Sequence, residues 1–63
     1  MYLEYITKNF NTGKTHLEEL VVDTEEQAKA FLYGIETLDN ELEIWGASLF
    51  EDMDKQKFIS DLR

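Results

Sequence analysis

The residues of this chain that could do chemistry are mostly carboxylates. Its 63 residues include 14 Asp and Glu, 6 Lys and Arg, one His and no Cys, and the formal net charge is -8. Clustered carboxylates can bind calcium or act as a general acid and base. The densest cluster is Glu51, Asp52 and Asp54, but the sequence after it lacks the central Gly and the closing Glu of a calcium-binding loop. We therefore predict no metal site.

The remaining candidates for catalysis are His16, Ser48 and Ser60. His16 has no Ser in motif spacing, and neither serine has the sequence context of a nucleophile elbow. The 3 glycines are isolated, so no phosphate-binding loop is present. A chain of about 60 residues also buries too little surface to enclose a deep pocket. These features predict a protein that is not an enzyme and uses no cofactor.

The distribution of the acidic residues stands out from this background. Between residues 18 and 54 the chain has twelve carboxylates and a single base, Lys29, while the other bases lie near its two ends. Direct binding to nucleic acid is disfavoured, because phosphate neutralisation needs clustered Lys and Arg. The pattern favours a basic protein partner.

Some of these acids could imitate the phosphates of a nucleic acid. On a strand, Glu41 and Glu43 would stand about 6.6 Å apart on one face. Tyr33 lies off the apolar stripe of the predicted helix and Trp45 adjoins a glycine, so both could be exposed anchors for a partner. Trp45 fits a core position equally well, and the acids fit an ordinary solvated surface that keeps a small protein soluble. The predicted partner-binding residues are Tyr33, Glu36, Asp39, Glu41, Glu43, Trp45, Glu51, Asp52 and Asp54.

The elements that position these side chains are predicted to form one α+β domain over residues 1–63. We expect a small antiparallel sheet of three or four strands, with one helix across one face, in the order ββαββ. Residues 1–22 predict a hairpin whose turn places Gly13 in the left-handed region. The register that this turn implies pairs Tyr2 with Val22 and leaves both faces of the hairpin partly apolar, which indicates a second burial event.

Asp23 or Thr24 is predicted to end the second strand and to cap the helix. Residues 24–27 have the form of a capping box, and Ala28, Phe31, Leu32 and Ile35 recur at helical spacing. Gly34 lies off that stripe, where it could permit the close approach of another backbone or have no role.

The second half of the chain leaves alternatives open. Charged and apolar residues alternate from Glu41, as in a half-buried strand, and Gly46 indicates a bulge that reverses the faces; strict alternation is the other possibility. Residues 57–63 fit a strand or a short helix, so ββαβα is the alternative order, although the short length favours a strand.

Two functions fit these features. The first is an acidic inhibitor or adaptor that binds a basic, nucleic-acid-binding protein, with carboxylates in place of phosphates. In size and charge alone the chain resembles small phage or mobile-element proteins that block host or defence enzymes. The second is a homodimer formed through the hairpin or an exposed strand edge, in which the acids serve solubility. No apolar run is long enough for a membrane span or a signal peptide, so we expect a cytoplasmic protein with no membrane partner.

Overall fold

One antiparallel sheet of four strands carries a single helix on one of its faces. The computed structural model describes all 63 residues. The elements are β1 (Tyr2–Asn9), β2 (Thr15–Val21), α1 (Glu25–Leu38), β3 (Leu42–Phe50) and β4 (Phe58–Asp61). The strand order across the sheet is β2-β1-β3-β4. The predicted α+β class and the ββαββ order are confirmed, and the C-terminal segment is a strand rather than a helix.

The helix begins where the capping box predicts. The hydroxyl oxygen of Thr24 accepts the backbone N–H of Gln27 at 3.0 Å, and the Gln27 side chain accepts the N–H of Asp23 at 2.6 Å. These two bonds occupy donors that a helix N-terminus otherwise leaves free. Ala28 and Leu32 then point into the core. α1 is neither long enough nor apolar enough to cross a membrane.

The predicted bulge in β3 is present at Trp45 and Gly46, where the pairing between β1 and β3 shifts by one residue. The extra residue reverses the alternation of faces along the strand. As a result Ile44 before the bulge and Ala47 and Leu49 after it are all buried against α1. The apolar residues before and after the bulge therefore face the same core.

The predicted register of the first hairpin is wrong by one residue. Tyr2 pairs with Val21, not with Val22. Because side chains alternate along a strand, this shift moves Leu17 and Val21 to the sheet face that α1 does not cover. Val22 is buried instead.

The turn explains the difference in register. The side-chain oxygen of Asn9 accepts the backbone N–H groups of Asn11 and Thr12, and the backbone of Asn9 bonds to both Gly13 and Lys14. The loop is therefore one residue longer than the predicted one. Gly13 still adopts a positive φ of 74°, as expected.

The core lies between α1 and the sheet face beneath it. Eight buried side chains form it: Leu3, Tyr5, Val22, Ala28, Leu32, Ile44, Ala47 and Leu49. With one helix in the chain, the other face of the sheet has no layer over it. We call this the open face; its exposed apolar side chains are Ile6, Leu17, Val21, Trp45 and Phe58.

Candidate protein-interaction surfaces

Most carboxylates of the folded chain have no cationic partner. Ion pairs use four of the 6 bases and only five of the 14 acids, which leaves nine acids unpaired. Lys8 and Lys14 are the two bases outside these pairs. The paired acids are Glu4, Glu19, Glu25, Glu36 and Glu51. The molecule therefore presents a surface whose negative charge is not neutralised from within.

Three of the predicted partner-binding acids lie together where α1 passes into β3. The carboxylate of Asp39 accepts the backbone N–H of Glu41 at 3.1 Å, and Glu43 follows two residues later on the strand. The last turn of α1 carries no basic residue, so the negative end of the helix dipole adds to these charges. We call Asp39, Glu41 and Glu43 the acidic end.

Glu36 and Tyr33 lie on a different flank of the molecule. Glu36 forms an ion pair with Arg63 and accepts the backbone N–H of Ile44 at 3.4 Å, so it ties α1 to β3 and to the C-terminus. Tyr33 is 72% exposed and lines a shallow pocket of about 130 Å³ with Glu36, Arg63 and Leu62. Glu36 is thus held by contacts inside the fold, whereas Tyr33 is accessible.

The third group, Glu51, Asp52 and Asp54, lies in the turn between β3 and β4. Lys8 pairs with Glu43 and Tyr2 with Phe50. At roughly 3.3 Å per residue along β1, the start of this turn therefore lies about 20 Å from Glu43 along the strands. A hydrogen bond between the two aspartates raises the pKa of Asp52 and lowers that of Asp54. Glu51 lies 3.6 Å from the Lys57 ammonium. The predicted partner-binding residues therefore occupy three separate places.

Trp45 is 56% exposed on the open face, so its interpretation as a core aromatic is wrong. The Lys8 ammonium lies 4.3 Å from the centroid of its ring. Lys8 pairs across the strands with Glu43, so the indole adjoins the acidic end. Tyr33 lies on α1, which covers the other face of the sheet.

A network around Lys55 was not predicted from the sequence. Its ammonium donates to Glu19 at 2.8 Å and also to Glu4, and the Tyr2 hydroxyl donates to Glu19. The bonds to Glu19 and Glu4 raise the pKa of Lys55, and the bonds from Lys55 and Tyr2 lower the pKa of Glu19. The partners are 36 and 51 residues apart, so no local motif could reveal them. The network draws the β3–β4 turn over one end of the open face.

An apolar groove along α1 was also not predicted. It has a volume of about 420 Å³ and lies beside the C-terminal half of the helix. In the sequence, only Gly34 pointed to this groove, because a glycine off the apolar stripe could permit the close approach of another backbone. Its lining residues are Ala30, Phe31, Gly34, Ile35, Leu38, Asp39 and Leu42.

Comparisons with protein-family models, with curated proteins and with solved structures find no match for this chain. No group of three or more His, Asp or Glu side chains is arranged to hold a metal ion. The fold and its surfaces define a small acidic α+β domain, and its function has to be inferred from charge and geometry.

Proposed function

We propose that this protein is an acidic interaction module, an inhibitor or adaptor that binds a basic surface of a nucleic-acid-binding protein, with carboxylates in place of phosphates. The observation that carries this proposal is the set of nine acids without an ion pair in a chain that has used four of its 6 bases. Unpaired surface charge of one sign steers a partner of opposite sign and raises its association rate. A cytoplasmic location belongs to the same proposal, as does an origin in a phage or mobile element, which rests on resemblance in size and charge.

The acidic end and Trp45 form the contact that we favour. Three carboxylates lie together there, beside the negative end of the helix dipole and an exposed indole. Large aromatic side chains supply much of the binding energy of protein interfaces, while peripheral charges act mainly on the association rate. Glu51, Asp52 and Asp54 supply a second acidic contact at the far end of β3.

Charge reversal tests this contact. Glu41→Lys with Glu43→Lys should prevent the capture of basic proteins from the source organism's lysate, and wild-type capture should be lost in about 1 M salt, where the Debye length is roughly 3 Å. The matched control is Asp23→Lys with Glu26→Lys, which makes the same change in net charge at the other end of α1. Equal loss in both variants would mean that net charge alone drives capture, and unchanged capture in both would exclude the acidic end.

The open face favours a second function, a homodimer in which the acids serve solubility. Five large apolar side chains are exposed on it, although one helix layer already provides the core. The molecule measures 34 × 19 × 15 Å, so its broad face offers about 600 Å² per partner, at the lower end of standard interfaces. Light scattering distinguishes the two functions: a dimer that persists in high salt, and dissociates with Leu17→Glu, supports assembly, whereas a monomer under all conditions excludes it.

A further inference from the structure

The groove beside α1 is an apolar surface that the core does not use. Phe31 and Ile35 pack against the core with one side and line the groove with the other. Leu38, at the end of the helix, is 90% exposed at the same groove. Its volume falls within the range of roughly 300–1,000 Å³ that is common for ligand pockets, and the groove is open along one side. A side chain carried on another segment can therefore enter it.

Gly34 has no packing reason to be glycine. A Cβ atom at this position would meet no atom within 4 Å, and the residue has an ordinary helical backbone. Glycine inside a helix lowers its stability relative to alanine. The missing side chain does have one effect, since it bares the helix backbone in the middle of the groove and lets a partner approach closely.

The one charged side chain that lines the groove is negative. Asp39 lines it, and the rest of the acidic end continues from Asp39 along the chain. Glu18 stands opposite Tyr5 on the sheet, and the Tyr5 ring contacts Phe31 edge-on with centroids 5.5 Å apart. No Lys or Arg lines the groove. A second copy of this chain, with its own charge of -8, is therefore a poor occupant.

We propose that the groove binds an aliphatic side chain of the basic partner, from a segment that carries Lys or Arg beside that side chain. The aliphatic group lies against Phe31, Gly34 and Leu38, and the cation lies at Asp39 and Glu41. This inference rests on the proposed function and names the chemistry that the partner presents. Binding in the groove differs from simple charge attraction, because it requires an apolar side chain at a defined place.

Peptide binding to the isotope-labelled protein tests the groove by NMR. Three peptides of equal length are compared: one alternates arginine with leucine, the second has serine for each leucine, and the third has glutamate for each arginine. The first should bind with shift changes at Gly34, Leu38 and Leu42. The serine peptide should bind about tenfold more weakly or worse, and the glutamate peptide should not bind.

Two variants locate the site. Gly34→Leu fills the groove and replaces a glycine that lowers helix stability, so the variant should fold stably. Its affinity for the arginine–leucine peptide should fall about tenfold or more. Thr37→Leu adds the same side chain at an exposed position that does not line the groove, and it should bind within about twofold of wild type. Thermal unfolding of each variant checks that loss of binding is not loss of fold.

The outcomes separate the two proposals. If the serine peptide binds as well as the leucine peptide and Gly34→Leu has no effect, the groove proposal is overturned and the acidic-surface function stands. If neither basic peptide binds, both proposals are contradicted. If the leucine and glutamate peptides bind the groove equally, the site is a general apolar one and the basic partner is excluded.

Discussion

Lys55 shows how a single residue can connect parts of the chain that are distant in sequence. It has a positive φ of 60°, a region that costs a non-glycine residue roughly 1–3 kcal/mol. Its ammonium reaches across the sheet to Glu4 and Glu19, on two neighbouring strands. The ion pairs hold the strained conformation in place. Lys55 therefore fixes the β3–β4 turn on the open face.

Acid should weaken this contact. The Lys55 hydrogen bond lowers the pKa of Glu19 in the folded state, so the stabilisation is present above the unfolded pKa of about 4.3 and is lost as the pH falls through the folded value. Urea unfolding followed by circular dichroism between neutral pH and acid should show this loss. Lys55→Met, which keeps the apolar stem, should reduce the pH dependence. Equal pH profiles for the two proteins would contradict the assignment.

At the scale of elements, local signals were sufficient for the helix and for β3. The capping box at Thr24 and the glycine at position 46 act through backbone geometry within a few residues, and both predictions are confirmed. The hairpin register was missed because it depends on the Asn9 side chain, which extends the turn. The apolar pattern could not correct the error, since β1 and β2 carry apolar residues on both faces and thus accept either register.

The two faces of α1 should differ sharply in their contribution to stability. Leu32 is buried, so Leu32→Ala should lower the free energy of unfolding by about 2–5 kcal/mol. The total for a domain of this length is roughly 3–9 kcal/mol, so a substantial fraction of the variant molecules should be unfolded. Phe31→Ala should cost less than a fully buried aromatic would, because one side of the ring lines the groove. Tyr33→Ala, on the exposed flank, is the control and should stay within about 0.5 kcal/mol of wild type. Circular dichroism with urea measures all three, and an equal cost for Leu32 and Tyr33 would show that the helix face is misassigned.

Over the whole molecule, the charge balance was readable from the sequence but the arrangement of the charges was not. The excess of acids between residues 18 and 54 is a property of composition. Their separation into the acidic end, the Glu36 ion pair and the β3–β4 turn follows from the length of β3 and from long-range pairs such as Glu36 with Arg63. Exposure of Trp45 likewise depends on the face that the bulge selects.

Salt should stabilise the isolated protein. Nine unpaired acids repel one another in the compact state, and screening reduces that repulsion more than it weakens the few exposed ion pairs. We expect the midpoint of thermal unfolding to rise by several degrees between low and high sodium chloride, since about 1 kcal/mol shifts it by roughly 4–8 °C in a domain of this size. An uncharged osmolyte series serves as a control. A fall in the midpoint with salt would mean that the ion pairs outweigh the repulsion.

The exposed position of β2 at the margin of the sheet has a consequence for handling the protein. One side of this strand has no neighbour, and its unpaired backbone groups are a template on which another molecule's strand can add. Glu18 and Glu19 are adjacent in the middle of the strand, flanked by Leu17 and Leu20. Their negative charges repel an incoming copy of the same strand, whose apolar and β-branched residues would otherwise favour strand addition. These two glutamates therefore protect the free edge of this domain from self-polymerisation.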